Sequence, residues 1–207
     1  RSEVTPPGSY GKAGHADDVL AVADALGATE FDAAGWSMGA LILMAVARRD
    51  PSRLRSVGLI DHAGPAQSRA LAAVREWLGR LDLVVDSPQE YLRRVGRTGL
   101  PDACYDYELE RGDDGRYRPL TSHAAALEDM DQPWPRDWSD YWRALTMPAV
   151  LVRATRPING GLIVPDRAVT ALREVNPAVR VVDAPDSDHF TVMVDPLTVA
   201  AVTAVLG

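Results

Sequence analysis

Cysteine is almost missing from this chain: Cys104 is the only one among 207 residues. An internal disulfide is therefore excluded, and a reducing, cytoplasmic setting is expected. Cys104 sits in a loop without an obvious base partner, a poor setting for a nucleophile. Positive charge is also short, with 22 Lys and Arg against 29 Asp and Glu, a net charge of −7. No basic run and no interleaving of aromatic with basic residues is present, which argues against nucleic acid and anionic membrane surfaces as partners. No apolar stretch reaches the roughly 18 residues needed to span a bilayer, and no signal peptide is visible. Internal repeats are absent, and low complexity is limited to alanine-rich segments. What is there is ordinary for a globular protein: 46% hydrophobic and 25% charged residues, enough to bury a core as one domain with a large insertion.

The most informative segment is Gly35-Trp36-Ser37-Met38-Gly39, a G-x-S-x-G motif. Ahead of it, Glu30-Phe31-Asp32-Ala33-Ala34 reads as a short strand. Behind it, residues 40–49 read as a buried helix. A serine on a sharp strand-to-helix turn is the context of a nucleophile elbow, in which flanking glycines leave room for a strained backbone. The following helix aims its N-terminal N–H groups at any developing anion. Strand and helix patterns then alternate, which argues for a parallel sheet. Ser56-Val57-Gly58-Leu59-Ile60-Asp61 ends in an acid followed by His62. Residues 148–154 and 179–184 read as further strands, and residues 196–206 are an apolar, alanine-rich closing run. Before the elbow, Ala16, Val19, Leu20, Val22, Ala23 and Leu26 fall at helical spacing. A serine hydroxyl needs a base at hydrogen-bond distance. His189, in Ser187-Asp188-His189-Phe190-Thr191 after the last strand, is the best candidate. His15 reads as a capping or surface residue ahead of the first helix, His123 as part of the central insertion, and His62 as a pocket residue.

In this order of elements the chain resembles the α/β-hydrolase superfamily over nearly all its length. The resemblance implies an α/β fold: a parallel sheet flanked by helices, with an inserted helical cap. Residues 1–64 and 146–207 would form the core and residues 65–145 the cap. It implies a Ser-His-Asp triad of Ser37, His189 and an acid. In most of the superfamily the acid follows the strand at 149–154, but residues 155–165 hold no carboxylate, and Asp166 reads as the N-cap of the next helix. A subset places it one strand earlier, where Asp61 stands, so Asp61 is expected to approach the far ring nitrogen of His189. Asp166, Asp186 and Asp188 are the alternatives. The N–H of Met38 would be one oxyanion donor. Arg1-Ser2 resembles the end of the R-G-x-G-R-S stretch that follows the fourth strand. The first strands and the His-Gly oxyanion loop would then come from an N-terminal segment of the same fold, on another chain or upstream.

Strand signals fade through the middle of the chain. Leu71, Val74, Trp77, Leu78 and Leu81 share a helical face, and Ser87 with Pro88 starts a further helix. Residues 111–116 read as a polar turn. Trp77, Trp134, Trp138 and Trp142 lie in this stretch. Singly they suit a small core; together they suggest a bulky, largely apolar small-molecule substrate. Trp36, His62, Trp138 and Trp142 are candidate pocket residues. The expected function is a serine hydrolase of esters or lactones, needing neither metal nor cofactor. The alternatives are a carbon–carbon bond hydrolase or cofactor-free haloperoxidase-like member, and a non-catalytic ligand-binding protein on the same scaffold.

Overall fold

The structure, a computed structural model, describes residues 3–95, 107–133 and 135–207. Arg1, Ser2, Cys104 and Trp134 lie outside the described residues. The described residues fall into two compact units, one within Gly11–Leu71 and Pro133–Gly207, the other within Arg1–Tyr10 and Ala72–Gln132. Among the described residues no helix is long and apolar enough to cross a membrane.

The larger unit is built on a four-stranded sheet of β1 (Phe31–Trp36), β2 (Leu54–Ile60), β5 (Ala149–Ala154) and β6 (Arg180–Ala184), in the order β1-β2-β5-β6. All three pairings are parallel. Parallel neighbours need crossovers, and strands covered on both faces become continuous apolar runs. The two central strands show this: Val57, Leu59, Val150, Leu151 and Val152 are fully buried. The helices are α1 (Lys12–Ala25), α2 (Met38–Arg49), α6 (Ser139–Arg143), α7 (Asp166–Val175) and α8 (Pro196–Leu206). α2 packs against β1 and β2, and α8 against β2 and β5. At Gly58 a Cβ would come within 3.1 Å of the Val202 side chain, so the glycine lets α8 approach β2 closely.

The sequence reading and the structure differ in informative places. β1 runs on to Trp36 and α2 starts at Met38, so the elbow is a single residue, Ser37. His15 lies inside α1 and not ahead of it, and Val22 and Leu26 on the expected apolar face are 60% and 79% exposed. Asp166 is the first residue of α7, whose N-cap is Pro165; the Asp166 side chain turns instead to Arg153.

In the smaller unit, where strand signals fade, a hairpin forms from β3 (Leu109–Arg111) and β4 (Tyr117–Pro119). Strands of three residues are too short for period-two alternation to stand out in the sequence. Its turn uses Gly115 at a φ of 78°, a left-handed conformation that suits glycine. α4 (Pro88–Val95) begins as expected, with Ser87 Oγ accepting the Glu90 N–H at 3.2 Å. The helical elements there also include α5 (His123–Asp131) and the end of α3 (Ser68–Leu78). Val85, Tyr91 and Val95 form a small core. Arg80 stacks 3.3 Å over Trp77 and pairs with Glu108, which also accepts the Tyr91 hydroxyl at 2.7 Å. His123 meets Asp82 at 2.5 Å, so it is engaged inside this unit.

Candidate active site

Ser37 holds φ 54° and ψ −116°, a region that non-glycine residues rarely enter. Its neighbours make this possible. At Gly35 a Cβ would fall 2.4 Å from the Gly39 carbonyl carbon, a backbone clash nothing nearby can relieve. The glycine therefore lets the chain fold back on itself at the turn. The Ser37 N–H donates to the Ile60 carbonyl at 2.8 Å, and the Ser37 carbonyl accepts the Ala40 N–H at 3.0 Å, tying the elbow to β2 and to α2. The first turn of α2 holds no acidic residue that would offset its N-terminal partial positive charge. Met38, whose N–H opens that turn, is the first residue of the helix.

Asp61 follows β2 directly and also takes a positive φ, 48°. Its N–H donates to the Val152 carbonyl at 2.7 Å, and its Oδ1 accepts the Ala154 N–H at 2.9 Å. The second oxygen, Oδ2, lies 2.9 Å from His189 Nδ1, and both side chains are 2% exposed. A buried carboxylate on Nδ1 places the ring proton there and leaves Nε2 as the proton acceptor. Asp61 thus has one oxygen anchored to β5 and the other committed to the imidazole.

The loop carrying His189 is fastened on every side. Ser187 Oγ donates to Asp195 Oδ2 at 2.5 Å, and Asp195 caps α8 by accepting the Leu197 N–H. Asp188 accepts the N–H groups of Phe190 and Thr191 at 3.0 and 3.2 Å and pairs with Arg156 at 2.6 Å. Burial works against the Asp188 charge, but the Arg156 guanidinium and the Thr191 N–H outweigh it and hold the carboxyl below the usual range. The Trp36 indole N–H donates to the His189 main-chain carbonyl at 2.9 Å, and the two rings lie 5.2 Å apart. Neither the Trp36 bond nor the Arg156–Asp188 pair had a signal in the sequence, because both join positions brought near only by the fold.

Of the other candidate acids, Asp166 is 86% exposed and bound to Arg153, which Asp183 holds from the other side. Asp186 is exposed. Trp142 donates its indole N–H to the Ala63 carbonyl at 2.6 Å and packs against Gly64, which fixes the chain after β2. Trp138 is buried and stacks on His62 at 6.5 Å. His62 is itself buried, and its pKa falls to about 3, first through burial and then through the charges of His189 and Lys12.

That shift has a consequence for stability. The unfolded chain takes up a proton near the ordinary value of 6.5, whereas folded His62 resists it down to about 3. Stability is therefore complete above this window and is lost as pH falls from 6.5 toward 3. His62→Asn is expected to flatten the fall of Tm across that range. Thermal melts at a series of pH values read the slope, whatever the starting Tm; equal slopes in both proteins would refute the assignment.

Residues 1–196 match the family described as alpha/beta hydrolase fold. The chain belongs to that family. It is a hydrolase of the α/β fold, and its four parallel strands are part of that family's sheet. It is 27% identical over 206 residues to a 2-(acetamidomethylene)succinate hydrolase of Mesorhizobium japonicum, covering 96% of this chain and 72% of the relative. The crystal structure of E-2-(acetamidomethylene)succinate hydrolase superposes with a TM-score of 0.84 at 24% identity, over 98% of this chain and 76% of that one. The enol-lactonase of Burkholderia xenovorans LB400 superposes with a TM-score of 0.62 at 20% identity, over 96% and 74%. At these identities the structural likenesses speak for the fold alone.

Proposed function

We propose that this α/β-fold hydrolase cleaves a carboxylic ester or lactone of a bulky, largely apolar small molecule through Ser37, His189 and Asp61. The observation that carries the reading is the buried 2.9 Å contact of Asp61 with His189 Nδ1, in a chain whose adjacent strand ends in an elbow serine. In this reading His189 Nε2 takes the Ser37 proton as Oγ attacks the carbonyl carbon. Asp61 stabilises the imidazolium that forms and keeps the ring in its working tautomer. The oxyanion gathers at the Met38 N–H and the positive end of α2. Collapse expels the alcohol, which takes the proton back from His189, and leaves an acyl group on Ser37. Water, activated by the same histidine, then releases the acid. Trp138 and His62 belong to the pocket in this reading, and residues 65–145 form the inserted cap.

A second reading follows from the relative named for 2-(acetamidomethylene)succinate, whose name joins an amide to a dicarboxylate. The same serine, histidine and aspartate would serve that substrate class, since an elbow does not set the bond that is cleaved. One panel separates the two. The purified protein is assayed against aryl and alkyl esters, lactones of increasing size, and 2-(acetamidomethylene)succinate. Turnover of esters or lactones with kcat/KM rising with apolar bulk supports the first reading. Turnover confined to the acetamidomethylene dicarboxylate would replace it with the second. A protein that turns over nothing and resists a fluorophosphonate is a binding protein on the same scaffold.

A further inference from the structure

We propose that Trp36 is a positioning residue that seats the general base. This inference rests on the triad reading above and adds a residue to it. The elbow and the base reach the site from different strands of the sheet. Ser37 follows β1, and the loop holding His189 follows β6, with β2 and β5 between them. Trp36 spans that gap. It is the last residue of β1, in register with Ile60, whose carbonyl accepts the Ser37 N–H at 2.8 Å. Its backbone is thus fixed to the strand end that leads into Asp61. Its side chain reaches 153 positions along the chain to donate to the His189 carbonyl at 2.9 Å.

His189 is therefore held at both ends. Asp61 takes the ring at Nδ1, and Trp36 takes the main chain at the carbonyl oxygen. A ring hydrogen bond alone does not tie the His189 main chain to the elbow, although other contacts fasten its loop. A carbonyl bond alone leaves the ring free to turn. The two together fix the position of Nε2 relative to the elbow, to which Trp36 is covalently joined. The indole also lies beside the imidazole, with centroids 5.2 Å apart and planes 32° from parallel, and Phe190 meets the ring edge-on at 5.5 Å. A residue whose N–H is spent on His189 is turned to the base. A wall of the pocket would present that face to substrate instead.

Two variants separate the N–H from the ring. Trp36→Phe removes the donor and part of the ring. Replacement of Trp36 by 3-benzothienylalanine keeps the bicyclic shape and exchanges only the N–H for sulfur, so folding is not at stake. Loss of one neutral hydrogen bond to the base should lower kcat roughly tenfold in either variant, with KM changed less than about twofold. The acid limb of kcat/KM should move to lower pH, because an imidazole less firmly seated on Asp61 gives up its proton more readily. The ring-proton NMR titration of His189 in the unliganded protein should move the same way. That readout does not depend on turnover. Wild-type kcat with an unmoved His189 titration in the benzothienyl variant would overturn the proposal. So would a raised KM and a new substrate ranking at constant kcat, which would make Trp36 a pocket wall. If Ser37→Ala keeps full turnover, the triad reading fails instead, while a shifted His189 titration would still show the tie between Trp36 and His189.

Discussion

Replacing Ser37 with alanine is expected to lower turnover about a hundred-thousandfold or more and to abolish covalent labelling by a fluorophosphonate. The magnitude follows from what the elbow does. Ser37 is the one residue between β1 and α2, its backbone is held at φ 54° against its steric preference, and Gly35 is kept bare so that the turn can close. Strain of this kind costs roughly 1–3 kcal/mol and persists where a fold over-determines it. Alanine shares the backbone limits of serine, so the turn, the sheet and the Asp61–His189 pair should survive, and circular dichroism should be unchanged. What remains is substrate binding, the helix N-terminus and whatever oxyanion stabilisation they give, with no atom to attack the carbonyl. Active-site titration and burst kinetics on the best substrate of the panel measure the effect. An Ser37→Ala protein that keeps more than about a hundredth of the wild-type rate would show that another group is the nucleophile.

Much of the larger unit was legible because its signals are local. The stretches 57–60 and 149–152, inside the expected runs 56–61 and 148–154, are continuous and apolar as suits strands covered on both faces, and the closing helix Pro196–Leu206 lies on its proline-led, alanine-rich run. At the elbow the boundaries moved because the turn takes one residue, so β1 and α2 both grow toward it, and β2 begins at Leu54, ahead of the expected run at 56–61. The smaller unit was harder. Three-residue strands leave no period, and Leu109 and Tyr117 join its core by tertiary contact alone. At the site, the approach of Asp61 to His189 was readable from a negative, the absence of any carboxylate between residues 155 and 165. The tie between Trp36 and His189 was not, since an indole before a serine looks the same in sequence whether it faces substrate or a carbonyl across the sheet. Nor was the turn of Asp166 toward Arg153, because an acid at the start of a helix is also a good N-cap.

Asp61→Asn is expected to lower kcat about ten-thousandfold, while Asp166→Asn stays within about twofold of wild type. The two oxygens of Asp61 do different work. Oδ1 accepts the Ala154 N–H, and Oδ2 faces His189 Nδ1. Asparagine can satisfy the first contact only by keeping its carbonyl oxygen toward Ala154, and its NH2 then points at Nδ1. An amide NH2 donates, so Nδ1 must accept, and the ring proton moves to Nε2. The nitrogen that should take the serine proton is then already occupied. The flipped amide restores the tautomer but sets NH2 against the Ala154 N–H, two donors facing each other in a site where both side chains are 2% exposed. Neither orientation also supplies the negative charge that stabilises the imidazolium. Asp166 has no such constraint: it is 86% exposed, and its partner Arg153 keeps Asp183 when Asp166 loses its charge. Steady-state rates for the two variants, with melts to establish that both are folded, decide between them. Intact turnover in Asp61→Asn beside a thousandfold loss in Asp166→Asn would move the acid to the strand after the central insertion, and the 2.9 Å contact between Asp61 and His189 would then be structural only.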